Sequence, residues 1–397
     1  MRLIEKSIIG SSKEFGKEIA VKAFEEMRKH YQQRDLAARE WKKKGGKVVG
    51  YFCDSVPEEF ILAAGFFPLR ITGDPHSGTE EIDKYLEPFY EGFVRTQLNN
   101  ILTGKFNFVD FLVIPRSRDS ITQQYSHLHQ IKSLNPGVKL PELYYFEQLC
   151  TMSYASEFYN LDRMRDFKKK LEEWSGREIS NQSLSQAIEV TNENRNLLQK
   201  VAELRTVEHP HISGLEAIQI IGSSMFMLKE EHNKLLKQFL DEVDRLPARD
   251  GIRLFVEASP LDNLQLYEII ESCQATVVAE DNCWGNRYSE NLIDTALNPV
   301  EAVARRYHSK SPCPYVPTTG IRAEYCLKKA QEAKAQGVIF YILDWDPSQL
   351  WDYPEQNRLL QEKGIPTVNF IQQPYLISQP EKLQADIMEF IDTIRVN

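Results

Sequence analysis

The chain has 397 residues, 42% of them hydrophobic and 26% charged, with a net charge of −9. Such a length exceeds the usual single domain and implies two α/β domains with a shared helical part, while no apolar run approaches the roughly 18 residues of a membrane span. The acidic balance speaks against a nucleic-acid surface.

Within the N-terminal sequence neither a long apolar core nor a small-residue cleavage site occurs, so a cytoplasmic location is expected. Ser11-x-x-Glu14 is a capping-box pattern that opens a predicted helix continuing to about Lys44, with Ile19, Ala23, Phe24 and Met27 at helical spacing. Gly45-Gly46 ends it. The basic run from Lys42 to Lys47 either meets an anionic ligand or is the solvated end of that helix. Val48 to Cys53 reads as a strand, Pro57 to Ala64 as a helix with proline at its first position, and Pro68 to Ile71 as the second strand. A helix over about Tyr90 to Leu102, the strand Phe111 to Ile114, a helix from Ser120 and the strand Leu143 to Phe146 continue the alternation.

From about Asn160 to Leu246 the apolar spacing is helical throughout, including Leu184 to Arg205 and Gly214 to Leu246. Strands resume at Ile252 to Val256 and Ala275 to Ala279. Val338 to Leu343 is an unbroken apolar run of strand length, as in a strand buried on both faces of a parallel sheet. A helix over about Tyr353 to Lys363, closed by Gly364 and Pro366, and a strand Thr367 to Ile371 complete a βαβ unit. The division that results is an N-terminal helical segment (1–45), a first α/β domain (46–159), a helical segment (160–246) and a second α/β domain (247–397).

Polar residues cluster where strands end, at Cys53-Asp54-Ser55, Pro115 to Ser120, Glu280 to Tyr288 and Asp344 to Pro347. Ligands of open α/β sheets bind there, and four such turns favour a site between the domains. Several of these residues are also good helix caps, which accounts for any one turn equally well. Arg116 and Arg118 beside a helix start suit a phosphate group. Six cysteines are scattered without a CxxC pair, which argues against a disulfide framework. Cys283 and Cys313 lie in irregular turns, where thiolates either hold a metal or cluster or are buried structural residues. His127-x-His129 has metal-like spacing but falls on a predicted helix, where residues two apart face different ways. No Walker A loop, GxSxG, HExxH or post-strand GxGxxG is present.

Segments 50–74, 89–120, 175–198, 280–314 and 337–354 together resemble the 2-hydroxyacyl-CoA dehydratase and benzoyl-CoA reductase family. The resemblance implies two Rossmann-like parallel-sheet domains with an all-helical segment between them. It also implies a heteromeric, oxygen-sensitive enzyme acting on acyl-CoA thioesters, fed with low-potential electrons by an ATP-hydrolysing iron–sulfur activator. Cluster-bearing members carry one cysteine in a Cys-Pro-Phe-Val-Arg-Ser motif, one directly before Asp-Ser and one in Phe-Cys-Asp-Pro. Here those positions are Glu91, Arg118 (before Asp119-Ser120) and Trp345 (before Asp346-Pro347). The implied [4Fe-4S] cluster is therefore expected on a homologous partner subunit and on the activator, not on this chain. For the vacated positions two expectations arise: a salt bridge between Arg118 and Glu91 covered by Trp345, or a pocket for part of an acyl-CoA with Arg116 or Arg118 facing an anionic group. Ser55 lies near the position of an active-site serine in some dehydratase subunits. An aromatic acyl-CoA reductase and a 2-hydroxyacyl-CoA dehydratase are both compatible with this pattern, as is a non-catalytic acyl-CoA-binding or regulatory protein.

Overall fold

The computed structural model describes residues 17–314 and 318–396. The capping pattern at Ser11 and Glu14 lies outside them. Two N-terminal helices, α1 (Lys17–Gln32) and α2 (Leu36–Lys43), precede the first α/β domain, which comprises β1 (Val48–Tyr51), α3 (Glu58–Ala63), β2 (Phe67–Arg70), α4 (Gly92–Leu102), β3 (Phe111–Pro115), α5 (Asp119–Leu134) and β4 (Glu142–Phe146). Four helices come next: α6 (Tyr154–Ser175), α7 (Asn181–Thr206), α8 (Gly214–Ser223) and α9 (Lys229–Leu240). The second domain comprises β5 (Ile252–Ala258), α10 (Gln265–Ser272), β6 (Ala275–Asp281), α11 (Pro299–His308), α12 (Thr319–Glu332), β7 (Gly337–Leu343), α13 (Pro347–Glu362), β8 (Thr367–Gln373) and α14 (Pro380–Val396).

Both sheets are wholly parallel and share one strand order, β2-β1-β3-β4 in the first and β6-β5-β7-β8 in the second. The apolar runs explain this burial. Every residue of β7 is buried, as are those of β1, β2, β3 and β6, because helices cover both faces of each sheet. Each fully buried Ile, Leu or Phe in these strands contributes about 1.5–3 kcal/mol. In each sheet the chain builds outward to one side of its first strand and then crosses to the other. The crevices where the order reverses therefore lie between β1 and β3 and between β5 and β7.

The N-terminal helix expected to reach Lys44 is instead two helices. Its break at Gln33 to Asp35 lets Arg34 turn toward the second domain, where Nη1 donates to Asp262 Oδ2 at 2.9 Å, and Tyr31 donates its hydroxyl to the Asp262 carbonyl at 2.9 Å. The single helix expected from Gly214 is likewise divided into α8 and α9. Lys229, fully buried at the start of α9, binds Ser224 Oγ (3.0 Å), Tyr288 (2.6 Å) and Glu58 (3.0 Å) across the turn. Helix α13 starts at Pro347, six residues before the expected Tyr353, since Asp346 accepts from Gln349 N at 3.2 Å and proline suits a first turn.

Helix α7, 26 residues and roughly 39 Å long, ties the domains together. Arg195 pairs with Glu59 of the first domain, whereas Gln199 donates to Ser289 O at 2.7 Å and Arg205 pairs with Glu280 at 2.5 Å in the second. No helix among the described residues is long and apolar enough to cross a membrane.

Candidate functional site between the two sheets

The two reversal crevices open toward each other. Between them lies a cavity of about 40 Å³, lined by Cys53, Asp54 and Arg118 from the first domain and by Pro260, Cys283, Trp284, Arg287 and Cys313 from the second. Such a space holds roughly two or three waters.

At one side of the cavity three helix starts converge. Glu91, Arg118 and Asp346 occupy the residues just before α4, α5 and α13. Arg118 Nη1 lies 2.7 Å from Glu91 Oε1 and 3.1 Å from Asp346 Oδ2, and all three side chains are at most 5% exposed. The pairing of Glu91 with Arg118 lies within the first domain, and that of Arg118 with Asp346 joins the two domains. Helix N-termini carry partial positive charge, which favours the two carboxylates. Burial raises the Glu91 pKa, Asp346 adds to that, and Arg118 opposes it. Gly92 permits the close approach here: a Cβ on it would come 2.6 Å from Cβ of Tyr375 in the second domain.

These residues do not fit the [4Fe-4S] cluster that the resemblance places at this point. A guanidinium has no free lone pair to offer iron, an indole nitrogen only donates, and Arg118 already fills the space between the two carboxylates. Cys53, Cys283 and Cys313 all line the cavity, yet among the described residues no group of three or more Cys, His, Asp or Glu side chains is arranged to hold a metal ion. The Cys53 thiol hydrogen-bonds Ser117 Oγ at 3.3 Å and is pushed up to about 12, chiefly by burial and then by Cys283.

Further polar contacts close the cavity. Lys310 reaches Asp54 across the domain boundary at 2.7 Å. Burial alone would raise the Asp54 pKa, but Lys310, aided by Arg70, holds it at about 2. Arg287 pairs with Asp281. Deeper in the second domain Glu257 accepts from Gln349 and is pushed up to about 8 by burial and by neighbouring Asp281.

Of the residues singled out in the sequence, Glu91, Arg118 and Asp346 meet in one ion cluster, and Cys283 and Cys313 line the adjoining cavity. Trp345 is 53% exposed and packs edge to face on Phe89 at 4.9 Å, so the other carboxylate that faces Arg118 belongs to the next residue, Asp346. Arg116 is exposed beside Glu147, 3.9 Å away, and Asp119 is exposed in the first turn of α5. Ser55 is half-buried beside Asp54 with its hydroxyl unpartnered among the described residues. His127 and His129 meet different tyrosines, Tyr90 and Tyr125. Asp54 lies in one of the four strand-end turns read from the sequence, whereas Arg70 and Lys310 were not anticipated as site residues. The available signal for Arg70 is a lone charge closing an apolar strand, at the sheet edge where ligands bind.

The model of the family described as 2-hydroxyglutaryl-CoA dehydratase, D-component, matches residues 53–394. Over 357 residues the chain is 26% identical to the (R)-phenyllactyl-CoA dehydratase beta subunit of Clostridium sporogenes, covering 88% of this chain and 92% of that one. It is 27% identical to one of the subunits of benzoyl-CoA reductase from Thauera aromatica, over 86% of this chain and 90% of that protein. The beta subunit of (R)-2-hydroxyglutaryl-CoA dehydratase from Acidaminococcus fermentans is 24% identical, over 83% and 87%. With nearly the whole chain matched and both sheets in place, the protein belongs to the 2-hydroxyglutaryl-CoA dehydratase D-component family.

Proposed function

We propose that this chain is a clusterless subunit of a heteromeric, oxygen-sensitive acyl-CoA enzyme, paired with a homologous subunit that carries the iron–sulfur cluster and driven by an ATP-hydrolysing iron–sulfur activator. The observation that carries the reading is the buried cluster of Glu91, Arg118 and Asp346 at the convergence of three helix starts. Glu91 and Arg118 occupy two of the three positions of the cluster thiols and Trp345 the third, all groups that cannot take up electrons, so electron transfer to a thioester falls to the partner. The relatives are named as subunits of two dehydratases and of a reductase, which supports a place in a multi-subunit assembly.

Reduction of an aromatic acyl-CoA, as in benzoyl-CoA reductase, is the reaction we assign to the complex, with dehydration of a 2-hydroxyacyl-CoA as the second reading. The test is anaerobic affinity purification of the tagged chain from its own host, with mass spectrometry of bound proteins and assays with aromatic and 2-hydroxyacyl-CoA esters. A homologous, cysteine-complete partner and acyl-CoA turnover by the complex are expected. A chain recovered alone would leave a free-standing acyl-CoA-binding or regulatory protein as the better account.

A further inference from the structure

Arg70 closes β2 and is 4% exposed. Its guanidinium stacks 3.6 Å from the ring centroid of Trp284. The acceptors around it are poor for a full positive charge: Nη1 donates to the Cys283 carbonyl at 2.7 Å and to Met225 Sδ at 3.1 Å, and Nη2 donates to Cys283 Sγ at 2.9 Å. Nε has no acceptor among the described residues. The other two arginines of the cavity wall have carboxylates, Glu91 and Asp346 for Arg118 and Asp281 for Arg287. Among the described residues no carboxylate is within ion-pair distance of Arg70; Asp54 acts on it only from farther away and is in direct contact with Lys310. A buried guanidinium with no carboxylate in direct contact is only partly compensated, and an anion supplied from outside adds the missing contact.

Arg70 also stands in the wall between two cavities. One is the small interdomain space, and the other is a groove of about 500 Å³ lined among others by Arg34, Thr72 and Lys105 and also by the acidic Asp35, Asp74 and Glu268, with Arg34 and Lys105 paired to Asp262 and Asp74. The groove has the size of a small-molecule site. We propose that Arg70 is the receptor for the oxyanion group, carboxylate or phosphate, of a small ligand admitted through this groove. The planar guanidinium, fixed by Trp284, offers the fork geometry that such a group accepts from two N–H donors. The proposal concerns this chain's own binding chemistry and stands apart from the partner reading.

The test is calorimetric titration of the full-length purified chain with inorganic phosphate and, separately, with acetate, at constant ionic strength. Saturable binding of at least one of them is expected, accompanied by a rise in melting temperature, and the two titrations distinguish phosphate from carboxylate. Arg70→Gln should weaken the binding about ten- to a hundredfold, the range for losing charge-assisted hydrogen bonds. Cys283→Asp supplies an internal carboxylate where sulfur now accepts, so it should also abolish binding while melting no lower than wild type. Arg116→Gln, at an exposed arginine, should bind as wild type does. Absence of saturable binding by the wild type, or undiminished binding by folded Arg70→Gln or Cys283→Asp, would overturn the proposal.

Discussion

Replacing Arg118 by methionine removes the cation from between Glu91 and Asp346 while keeping an apolar side chain against Phe93, whose ring lies 5.6 Å from the guanidinium carbon. Removing one member of a buried ion pair costs about 3–5 kcal/mol, because the partner is left charged and dry. Two carboxylates are stranded here, so the upper part of that range is expected at pH 8, a fall in melting temperature of roughly 5–20 °C. Glu91 offers the relief. Its pKa is already raised by burial, and losing Arg118 raises it further. A group whose folded pKa exceeds its unfolded value stabilises fully below the unfolded pKa and loses that contribution as pH rises through the folded one. The deficit of Arg118→Met should therefore shrink as pH falls from 8 toward 5, by about 1.4 kcal/mol per unit while one carboxyl takes up a proton. Urea and thermal unfolding across that interval measure it, with the triple variant Arg118→Met/Glu91→Gln/Asp346→Asn expected to recover most of the loss. A deficit below about 1 kcal/mol, the range of surface pairs, or one independent of pH would refute the reasoning.

Three further outcomes follow from the same physics. Glu257, pushed up to about 8, should make the wild type lose stability as pH rises from about 5 to 8, and Glu257→Gln should remove that slope and melt higher than wild type at pH 8. Asp54, held at about 2, stabilises above its unfolded pKa and loses that contribution as pH falls through 2. Asp54→Asn should therefore cost about 2 kcal/mol at pH 7 in chemical unfolding and progressively less in acid. Trp345 has a left-handed backbone at φ 63° and a half-exposed ring, so Trp345→Gly should relieve about 1 kcal/mol of backbone cost, and thermal unfolding should show no more than a small net loss.

The strands were legible because their burial is written in uninterrupted apolar runs: Val338 to Leu343 is buried along its whole length, and Gly364 takes the left-handed conformation that ends α13. The helical segment was legible for the same reason, through its periodicity. The breaks within helices were not, since they are decided by distant partners. Arg34 turns toward Asp262, 228 residues on, and Lys229 reaches back to Glu58. At the site, local pattern placed Arg118 and Asp346 at strand-end turns and the family resemblance set Glu91 against Arg118, but that Asp346 would also meet the guanidinium was not foreseen. That depends on how two separately built sheets face each other, and so does the position of Arg70 between two cavities.

Iron–sulfide reconstitution under strict anaerobiosis tests the clusterless assignment most directly, with iron, acid-labile sulfide and visible absorption measured on the purified chain. The account predicts no stoichiometric iron on the wild type, and recovery of a cluster in the triple variant Glu91→Cys/Arg118→Cys/Trp345→Cys. A stable cluster on the wild-type chain, lost on replacing Cys53, Cys283 or Cys313, would contradict it.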